Sequence, residues 1–325
     1  MTENRSVSLD PVPADIPGQV AWLARRYMKN SRDALFTDYL REIMVVNENG
    51  AIVPTARRNP LTNETSGVAV RGESGDGKTT MIDRNIGALP GFVRAEPGIP
   101  GNWLRCRVPP EATIKGVGEL IARDTSYGGF SDKATANAIW ATARHRMTEA
   151  GICLLWLDEA HHLLRPGTGR NPAAALQTLK HLLQGDDAVA VVLSGTALLT
   201  EGLLKDPETD RRFMQFDLGP LALGRDDALK LRTFIDRCCT MLDLPLPSDP
   251  HLCERIVVAS NGSLGRSLDL ARAIISKTIT DRRNTVELEV AGRLYRMRTG
   301  SGEIHPFMAG EWLDVRNRLL EEGWM

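Results

Sequence analysis

The 325-residue sequence contains few cysteines, and their arrangement does not suggest a cross-linked or metal-bound protein. There are five, an odd number, and no two of them form a Cys-x-x-Cys pair. This pattern disfavours a disulfide framework and a cysteine-ligated zinc site, and it suits a reducing compartment. The sequence also lacks internal repeats and low-complexity segments.

Long apolar runs and a strong net charge are missing as well. No apolar run approaches the roughly 18 residues that a membrane-spanning helix needs. No apolar segment follows Met1–Arg5 as an export signal would require, so we expect a cytoplasmic protein without a membrane partner. The formal net charge is −1, which does not indicate a nucleic-acid partner, although a local basic patch could still bind DNA. The remaining composition, 42% hydrophobic and 25% charged, is that of a globular protein with one large or two modest domains.

The most specific pattern in the chain is a glycine-rich loop at residues 72–79. It fits GxxxxGK[ST] with Gly72, Glu73, Ser74, Gly75, Asp76, Gly77, Lys78 and Thr79. Glycines in such a loop accept left-handed backbone conformations, so that N–H groups can surround a phosphate. We expect Lys78 to reach the β- and γ-phosphates and Thr79 to be a ligand of Mg²⁺. A short apolar strand at 67–71 and a helix opening at Thr80 supply the strand–loop–helix context. A glycine-rich surface turn, the alternative, would leave the lysine and threonine unexplained.

A buried strand ending in two carboxylates is the second pattern. Residues 152–157 are six consecutive apolar residues, followed by Asp158 and Glu159. Such a run is typical of a parallel strand covered on both faces, and the carboxyl end of such strands carries ligand chemistry. In this Walker B arrangement we expect Asp158 to hold the Mg²⁺ shell and Glu159 to orient or deprotonate the attacking water. The alternative is that both carboxylates merely cap the following helix.

Two histidines, His161 and His162, follow these carboxylates directly. They suggest a metal site, but we disfavour it because no carboxylate–histidine spacing completes a set of ligands. The run 158–161 also spells the signature box of a helicase superfamily. We disfavour that interpretation too, since the two RecA-like domains of such helicases need more sequence than this chain offers.

A further apolar strand and an arginine pair complete the set of candidate site residues. Residues 188–193 predict a second doubly buried strand, which leads into Ser194 and Thr196. These two are candidates for a side chain that senses the γ-phosphate, with plain turn residues as the alternative. Arg211 and Arg212 precede a predicted edge strand.

The sequence divides into four segments. Residues 1–60 predict an N-terminal helical arm, which either packs on the core or contacts DNA or a partner. Residues 61–222 predict the α/β nucleotide-binding core, and residues 223–283 have helical periodicity only. Residues 284–325 form a tail in which alternating stretches at 286–290 and 294–297 predict a β-hairpin that turns around Gly292.

The order of these features is similar to that of AAA+ ATPases. More specifically it resembles the TniB/TnsC branch of transposition regulators, with phage Mu B protein as a more distant relative. The segments that carry the closer resemblance are 72–80, 113–115, 157–163, 193–196, 211–213 and 262–266. The resemblance extends over roughly residues 20–280.

The resemblance implies an α/β fold: a P-loop AAA+ core with a central parallel sheet, a small helical lid and a short C-terminal tail. It implies ATP and Mg²⁺ as cofactors, and a ring or helical filament of identical subunits on double-stranded DNA. The implied partners are a transposase and a target-selection protein, and ATP hydrolysis would disassemble the oligomer. Two alternatives stay open. One is a signalling or defence NTPase that activates an effector without DNA, and the other is a nucleotide-gated scaffold with little hydrolysis.

The resemblance also implies roles for individual basic residues. Arg211 or Arg212 would complete the site of a neighbouring subunit as a trans-acting finger, unless it pairs with a nearby aspartate. Arg266 would sense the γ-phosphate from the lid. The candidates for contact with the DNA backbone are Lys115, Lys133 and Arg146. Their alternative is a solvated surface charge, because phosphate contacts need only basic side chains and no special pattern.

Overall fold

The computed structural model describes residues 11–165, 167, 171–221 and 226–324. The described chain forms two compact units. Residues 31–219 form the first, which we call the sheet unit, and the described parts of 1–30 and 220–325 form the second, the helical unit. The boundary predicted at residues 222–223 lies outside the described residues.

All strands of the described chain belong to the sheet unit. They are β1 (Met44–Val46), β2 (Ile52–Ala56), β3 (Gly67–Arg71), β4 (Arg94–Ala95), β5 (Trp103–Arg107), β6 (Leu154–Asp158), β7 (Ala190–Gly195) and β8 (Phe213–Asp217). Six of them form one parallel sheet in the order β4-β5-β6-β7-β3-β8. The strand predicted before the glycine-rich loop therefore lies beside β7, and β8 is an edge strand as predicted.

The helices of the described chain surround this sheet or form the helical unit. In the sheet unit they are α2 (Ser31–Ile43), α3 (Lys78–Gly87), α4 (Ile114–Asp124), α5 (Ala136–Glu149), α6 (His161–Leu164), α7 (Pro172–Leu182), α8 (Ala197–Leu203) and α9 (Pro207–Asp210). In the helical unit they are α1 (Ile16–Ala24), α10 (Asp226–Met241), α11 (Leu252–Ala259), α12 (Leu264–Thr280), α13 (Leu288–Thr299) and α14 (Trp312–Glu321). The helical character predicted for residues 223–283 is confirmed in the described part of that range by α10, α11 and α12.

The central strands have both faces covered, which explains their unbroken apolar sequence. Successive side chains of a strand point to opposite faces. Leu155 and Leu157 of β6 pack in a core with helices α4, α7 and α8, whereas Trp156 packs with Phe36 of α2 and Ile82 of α3 on the opposite face. The predicted α/β class with a central parallel sheet is confirmed.

The register of the sheet brings the candidate site residues to one edge. Val70 of β3 is level with Ser194 of β7, and Arg107 of β5 is level with Asp158 of β6. Because all of these strands are parallel, their carboxyl ends lie along the same edge. The loop at residues 72–77 begins there.

The predicted N-terminal arm does not behave as one segment in the structure. Trp22 and Leu23 of α1 share an apolar core with Ile274 and Ile275 of α12 in the helical unit, whereas α2 belongs to the sheet unit. Residues 44–56 of the predicted helical arm instead form an antiparallel pair, β1 with β2. Its turn carries the sequence Asn-Gly, which is a hairpin signal that the apolar pattern alone does not display.

The hairpin predicted at residues 286–297 is wrong, because this stretch contains helix α13. Val290, Ala291 and Tyr295 are buried on one side of it, which is a helical spacing that short alternating stretches can mimic. Gly292, taken as the turn, lies inside the helix, where a side chain would approach the backbone oxygen of Phe307 to 3.3 Å. It is therefore a packing glycine, and the helix ends at Gly300 in a left-handed conformation.

The cysteines form no disulfide bonds. All five cysteines are free thiols. Burial raises the pKa of Cys106 and of Cys153 to about 12, so both thiols stay protonated at neutral pH and are poor nucleophiles. No helix in the described part of the chain is both long and apolar enough to cross a bilayer.

Candidate nucleotide-binding site

The glycine-rich loop joins the carboxyl end of β3 to the first turn of α3. Gly75 and Gly77 have φ angles of +89° and +85°, a region that residues with a side chain seldom adopt. The carboxylate of Asp76 accepts a hydrogen bond of 2.6 Å from the N–H of Glu73, which closes the loop from within. The backbone of the loop is therefore concave and leads into the amino end of α3. This arrangement favours the binding of an anion.

Lys78 lies at the start of α3 and is buried. Its ammonium group donates to the backbone oxygens of Gly72 at 2.7 Å and Glu73 at 2.9 Å. The positive charge of Lys78 therefore lies against the glycine-rich loop, next to the backbone that would surround a phosphate. The exposed Thr80 occupies the same first turn of α3.

The Walker B carboxylate reaches the loop through Thr79. Oγ1 of Thr79 lies 3.1 Å from Oδ2 and 3.3 Å from Oδ1 of Asp158. A hydroxyl from the first turn of α3 and a carboxylate from the end of β6 thereby meet at one point, and oxygen ligands are those that Mg²⁺ prefers. The residues present fit a hydrated Mg²⁺ bound with a nucleoside triphosphate.

The side chain of Ser194 binds Asp158 and does not face the place where a phosphate would bind. Its hydroxyl donates to Oδ1 of Asp158 at 2.7 Å and accepts from Nε1 of Trp156 at 2.9 Å. The residue is fully buried, and a hydroxyl has a single proton to donate. Its expected role as a γ-phosphate sensor does not fit this geometry, because the only proton is already given to the carboxylate.

Thr196 differs from Ser194 in this respect. Its hydroxyl is buried and has no hydrogen-bond partner among the described residues. It is the single residue between the end of β7 and the start of α8, and its side chain makes no capping hydrogen bond to that helix. A buried hydroxyl without a partner costs free energy, which is consistent with a group kept for a ligand oxygen.

Glu159 has a strained backbone. Its φ angle is +60°, which is uncommon for a residue with a long side chain and recurs at functional sites. Its carboxylate lies 3.4 Å from Nδ1 of the buried His161. Burial lowers the pKa of His161 to about 4, with the charges of His162, Arg165 and Lys78 adding to the effect, so this ring is neutral at pH 7.

The two histidines lie closer to a carboxylate than the sequence suggested. Ligand atoms of Glu159, His161 and His162 are all within 4.8 Å of one another, although no regular spacing indicates it. The rings of the two histidines are 4.1 Å apart. We assign no cation to this group, because its carboxylate is the one placed to act on water.

Arg105 is a member of the site that the sequence did not reveal. It lies on β5, and its Nη2 donates to Oδ2 of Asp158 at 2.7 Å. The alternating sequence of β5 does not indicate this contact. The register of β5 against β6 decides which side chain lies near Asp158, and that register cannot be read from the pattern.

One family profile, described as bacterial TniB protein, matches residues 53–222, slightly more than half of the chain. The chain belongs to the TniB family. The matched segment contains the glycine-rich loop, the two carboxylates and the arginine pair. A search of curated proteins gave no match.

Solved structures similar to this TniB-family chain include an ORC1, an ORC2 and a Cdc6 protein. The Aeropyrum pernix ORC1 protein in complex with DNA is 18% identical with a TM-score of 0.59, covering 85% of this chain and 68% of that one. The A. pernix ORC2 protein in its ADPNP–ADP complexes is 12% identical with a TM-score of 0.58, covering 86% and 72%. Cdc6p from Pyrobaculum aerophilum is 15% identical with a TM-score of 0.54, covering 91% and 71%. At these identities the likeness shows the fold, which is the P-loop AAA+ fold expected from the sequence.

The two arginines that precede β8 have different surroundings. Arg212 forms an ion pair of 2.8 Å with Glu64 and donates to the backbone oxygen of Glu208, with only 8% of its side chain exposed. Arg211 is exposed, and its side chain forms no hydrogen bond or ion pair with the described residues. Arg212 therefore has a local structural partner, and Arg211 is the one that remains available to a neighbouring subunit.

The three candidates for DNA contact also differ. Lys133 is exposed in a turn ahead of α5. Lys115 lies within 4.0 Å of Glu119 and 3.4 Å of the backbone oxygen of Asp132. Arg146 donates to the backbone oxygen of Thr125 at 2.9 Å, so its guanidinium already braces the end of α4. Arg146 is thus held by a contact within the sheet unit, and contact of these three residues with DNA remains a prediction.

Arg266 belongs to the helical unit, in the first turn of α12. It is exposed, and its backbone N–H faces the capping hydroxyl of Ser263 at 3.4 Å. Its role towards a phosphate remains a prediction.

Proposed function

We propose that this TniB-family protein is an ATP-dependent DNA-binding ATPase that regulates DNA transposition. The observation that carries the proposal is the contact between Thr79 and Asp158, 3.1 Å apart, at the amino end of α3. Loop backbone, lysine, hydroxyl and carboxylate together suit a triphosphate with its cation better than any other ligand.

Each residue of the site has a task in this proposal. Lys78 and the backbone of the loop hold the β- and γ-phosphates, and Thr79 and Asp158 orient the cation. Bound Mg²⁺ supplies charge neutralisation at the phosphates. Glu159 orients the attacking water and takes its proton, and the hydroxyl of Thr196 donates to the γ-phosphate or to that water.

The arginine pair links this site to assembly. Arg211 is exposed, two residues before the start of β8, whereas its neighbour Arg212 forms an ion pair with Glu64. We assign Arg211 as the finger that enters the site of the next subunit, where a guanidinium stabilises the charge on the transferring phosphoryl group. ATP hydrolysis to ADP and phosphate is then slow in single subunits and depends on assembly. Assembly gives a ring or a helical filament of identical subunits.

Duplex DNA is the proposed template for this oligomer. The family to which the chain belongs supports this, and so does the likeness to an ORC1 protein whose structure was solved in complex with DNA. Lys133 and Lys115 would contact DNA phosphates without reading the bases. Such binding weakens with salt, because counterions are released from the DNA. Arg266 would respond to the γ-phosphate from the helical unit.

The assembled protein would recruit or activate a transposase, with a target-selection protein as a further partner. Hydrolysis would dismantle the oligomer and so restrict where the transposase acts. ATP serves here to hold subunits together, and its cleavage releases them.

Imaging and sedimentation of the full chain test the proposal. The protein is incubated with or without duplex DNA, and with ATP, ADP or no nucleotide. We expect regular oligomers only with ATP and DNA together, and turnover that rises when both are present. Assembly that needs ATP but ignores DNA would instead favour a signalling or defence NTPase. Assembly on DNA with ATP bound but not cleaved would favour a nucleotide-gated scaffold.

A further inference from the structure

The carboxylate of Asp158 forms an ion pair with a basic side chain, that of Arg105. Nη2 of Arg105 lies 2.7 Å from its Oδ2, and the guanidinium stacks on the ring of Trp156 at 4.5 Å. Arg105 is mostly buried, with 20% of its side chain exposed. A charge-assisted hydrogen bond in such surroundings is stronger than one between neutral groups.

Both carboxylate oxygens of Asp158 already have partners within the protein. Ser194 donates to Oδ1, Arg105 donates to Oδ2, and Thr79 approaches both oxygens. The aspartate is 1% exposed. Its negative charge is therefore already compensated before any metal ion is present, and a dication placed nearby is repelled by the guanidinium.

We propose that Arg105 sets the divalent-cation affinity of the nucleotide site by competing with the cation for Asp158. The inference deepens the proposed function, on which it rests for the identity of the site. Without nucleotide, the guanidinium keeps a free divalent cation out. With nucleotide, the phosphates supply enough negative charge to admit the cation, so that the two enter together.

Arg107 provides a matched control on the same strand. It lies two residues further along β5, on the same face as Arg105 and level with Asp158 in the sheet. It is exposed, and its side chain forms no hydrogen bond or ion pair with the described residues. Arg107→Gln removes the same charge from nearly the same place without removing the contact.

Mn²⁺ binding, counted by electron paramagnetic resonance, is the test, because Mn²⁺ takes the same oxygen ligands as Mg²⁺. The full-length wild type, Arg105→Gln, Arg105→Lys and Arg107→Gln are titrated with Mn²⁺, without nucleotide and with a non-hydrolysable ATP analogue. We expect Arg105→Gln to bind Mn²⁺ about three- to tenfold more tightly than the wild type without nucleotide. The difference should shrink with nucleotide, and Arg105→Lys and Arg107→Gln should resemble the wild type.

Unchanged or weaker Mn²⁺ binding by Arg105→Gln would overturn the proposal, and weaker binding would mean that Arg105 only orients Asp158. Circular dichroism checks folding. If Arg105→Gln does not fold, Arg105→Met replaces it, since its stem still covers the Trp156 ring. Tighter Mn²⁺ binding by the variant in a protein that binds no ATP analogue would contradict the proposed function while supporting the role of Arg105.

Discussion

Oγ1 of Thr79 and Oδ2 of Asp158 lie 3.1 Å apart, although the two residues are 79 positions apart in the chain. One belongs to the first turn of α3 and the other to the end of β6. The distance is short because the sheet places the carboxyl ends of β3 and β6 on one edge, with only β7 between them. The phosphate loop and the carboxylates thereby form one site.

Glu159→Gln should arrest the protein in its ATP-bound form. An amide of the same size keeps the strained backbone at φ +60° but cannot accept the proton of the attacking water. We expect turnover to fall about 100-fold or more, while ATP-driven assembly on DNA persists and outlasts that of the wild type. Phosphate release and dissociation from DNA are the measurements. Glu48→Gln, exposed in the turn between β1 and β2, is the matched control and should behave like the wild type.

The arginine pair predicts complementation between two inactive variants. Arg211→Ala keeps an intact loop but lacks the finger, whereas Lys78→Ala keeps the finger but cannot hold phosphate. Each alone should hydrolyse ATP poorly, and a mixture should recover turnover, because the finger of one subunit completes the site of the other. A mixture no more active than its components would show that Arg211 does not act between subunits.

Arg212→Ala should behave differently from its neighbour, because Arg212 is paired with Glu64 at 2.8 Å. Hydrogen bonds from Gln184 and Arg212 lower the pKa of Glu64, so the carboxylate is charged at neutral pH. Removing its cation should reduce the free energy of unfolding by about 1–3 kcal/mol. Thermal melting measures the loss, and Arg211→Ala should leave the melting temperature nearly unchanged. The reverse order of stabilities would exchange the two assignments.

Arg255 predicts a stability effect confined to the helical unit. It is buried and donates to the backbone oxygens of Pro306 at 2.7 Å and Gly310 at 2.8 Å, and Nε faces Asp249 at 2.9 Å. Arg255→Met should cost about 3 kcal/mol or more, since it leaves buried acceptors and a carboxylate without a donor. Arg298→Met, on the exposed side of α13, should cost little. Denaturant unfolding of both variants gives the comparison, and equal stabilities would contradict the role of Arg255.

His161 predicts a loss of stability on mild acidification. Its pKa is about 4 in the folded protein and about 6.5 in an unfolded chain. Between these values the unfolded state binds a proton that the folded state does not, so the free energy of unfolding falls as the pH decreases. From about pH 7.5 to about pH 5 the contribution is about 2 kcal/mol. Denaturant titrations at both pH values should show it in the wild type and in the exposed control His145→Gln, but not in His161→Gln.

The sheet and its loop were predictable because each leaves a mark within a short stretch of sequence. Six apolar residues followed by Asp158 and Glu159 indicate a buried strand and its carboxyl end without further information. The loop at residues 72–79 is equally local, because the glycines and the lysine serve one backbone geometry. The family resemblance rests on such local segments, and the TniB profile confirms it.

Contacts that depend on register could not be predicted. Arg105 reaches Asp158 only because β5 pairs with β6 as it does, and the proton of Ser194 is committed to a carboxylate that lies 36 positions earlier. Gly292 resembled a turn residue because a packing glycine and a turning glycine look alike in sequence. Its helix is determined by the residues that it packs against, His305 and Phe307 among them.

Simultaneous measurement of ATP occupancy and DNA retention tests the central claim most directly. Wild type and Lys78→Ala are immobilised on duplex DNA while ATP with Mg²⁺ is titrated, and bound nucleotide and retained protein are recorded together. In the wild type both signals should rise over the same ATP concentrations, and in Lys78→Ala both should be lost. DNA retention that is complete without nucleotide, or unchanged in Lys78→Ala, would contradict the claim that ATP at this loop holds the protein on DNA.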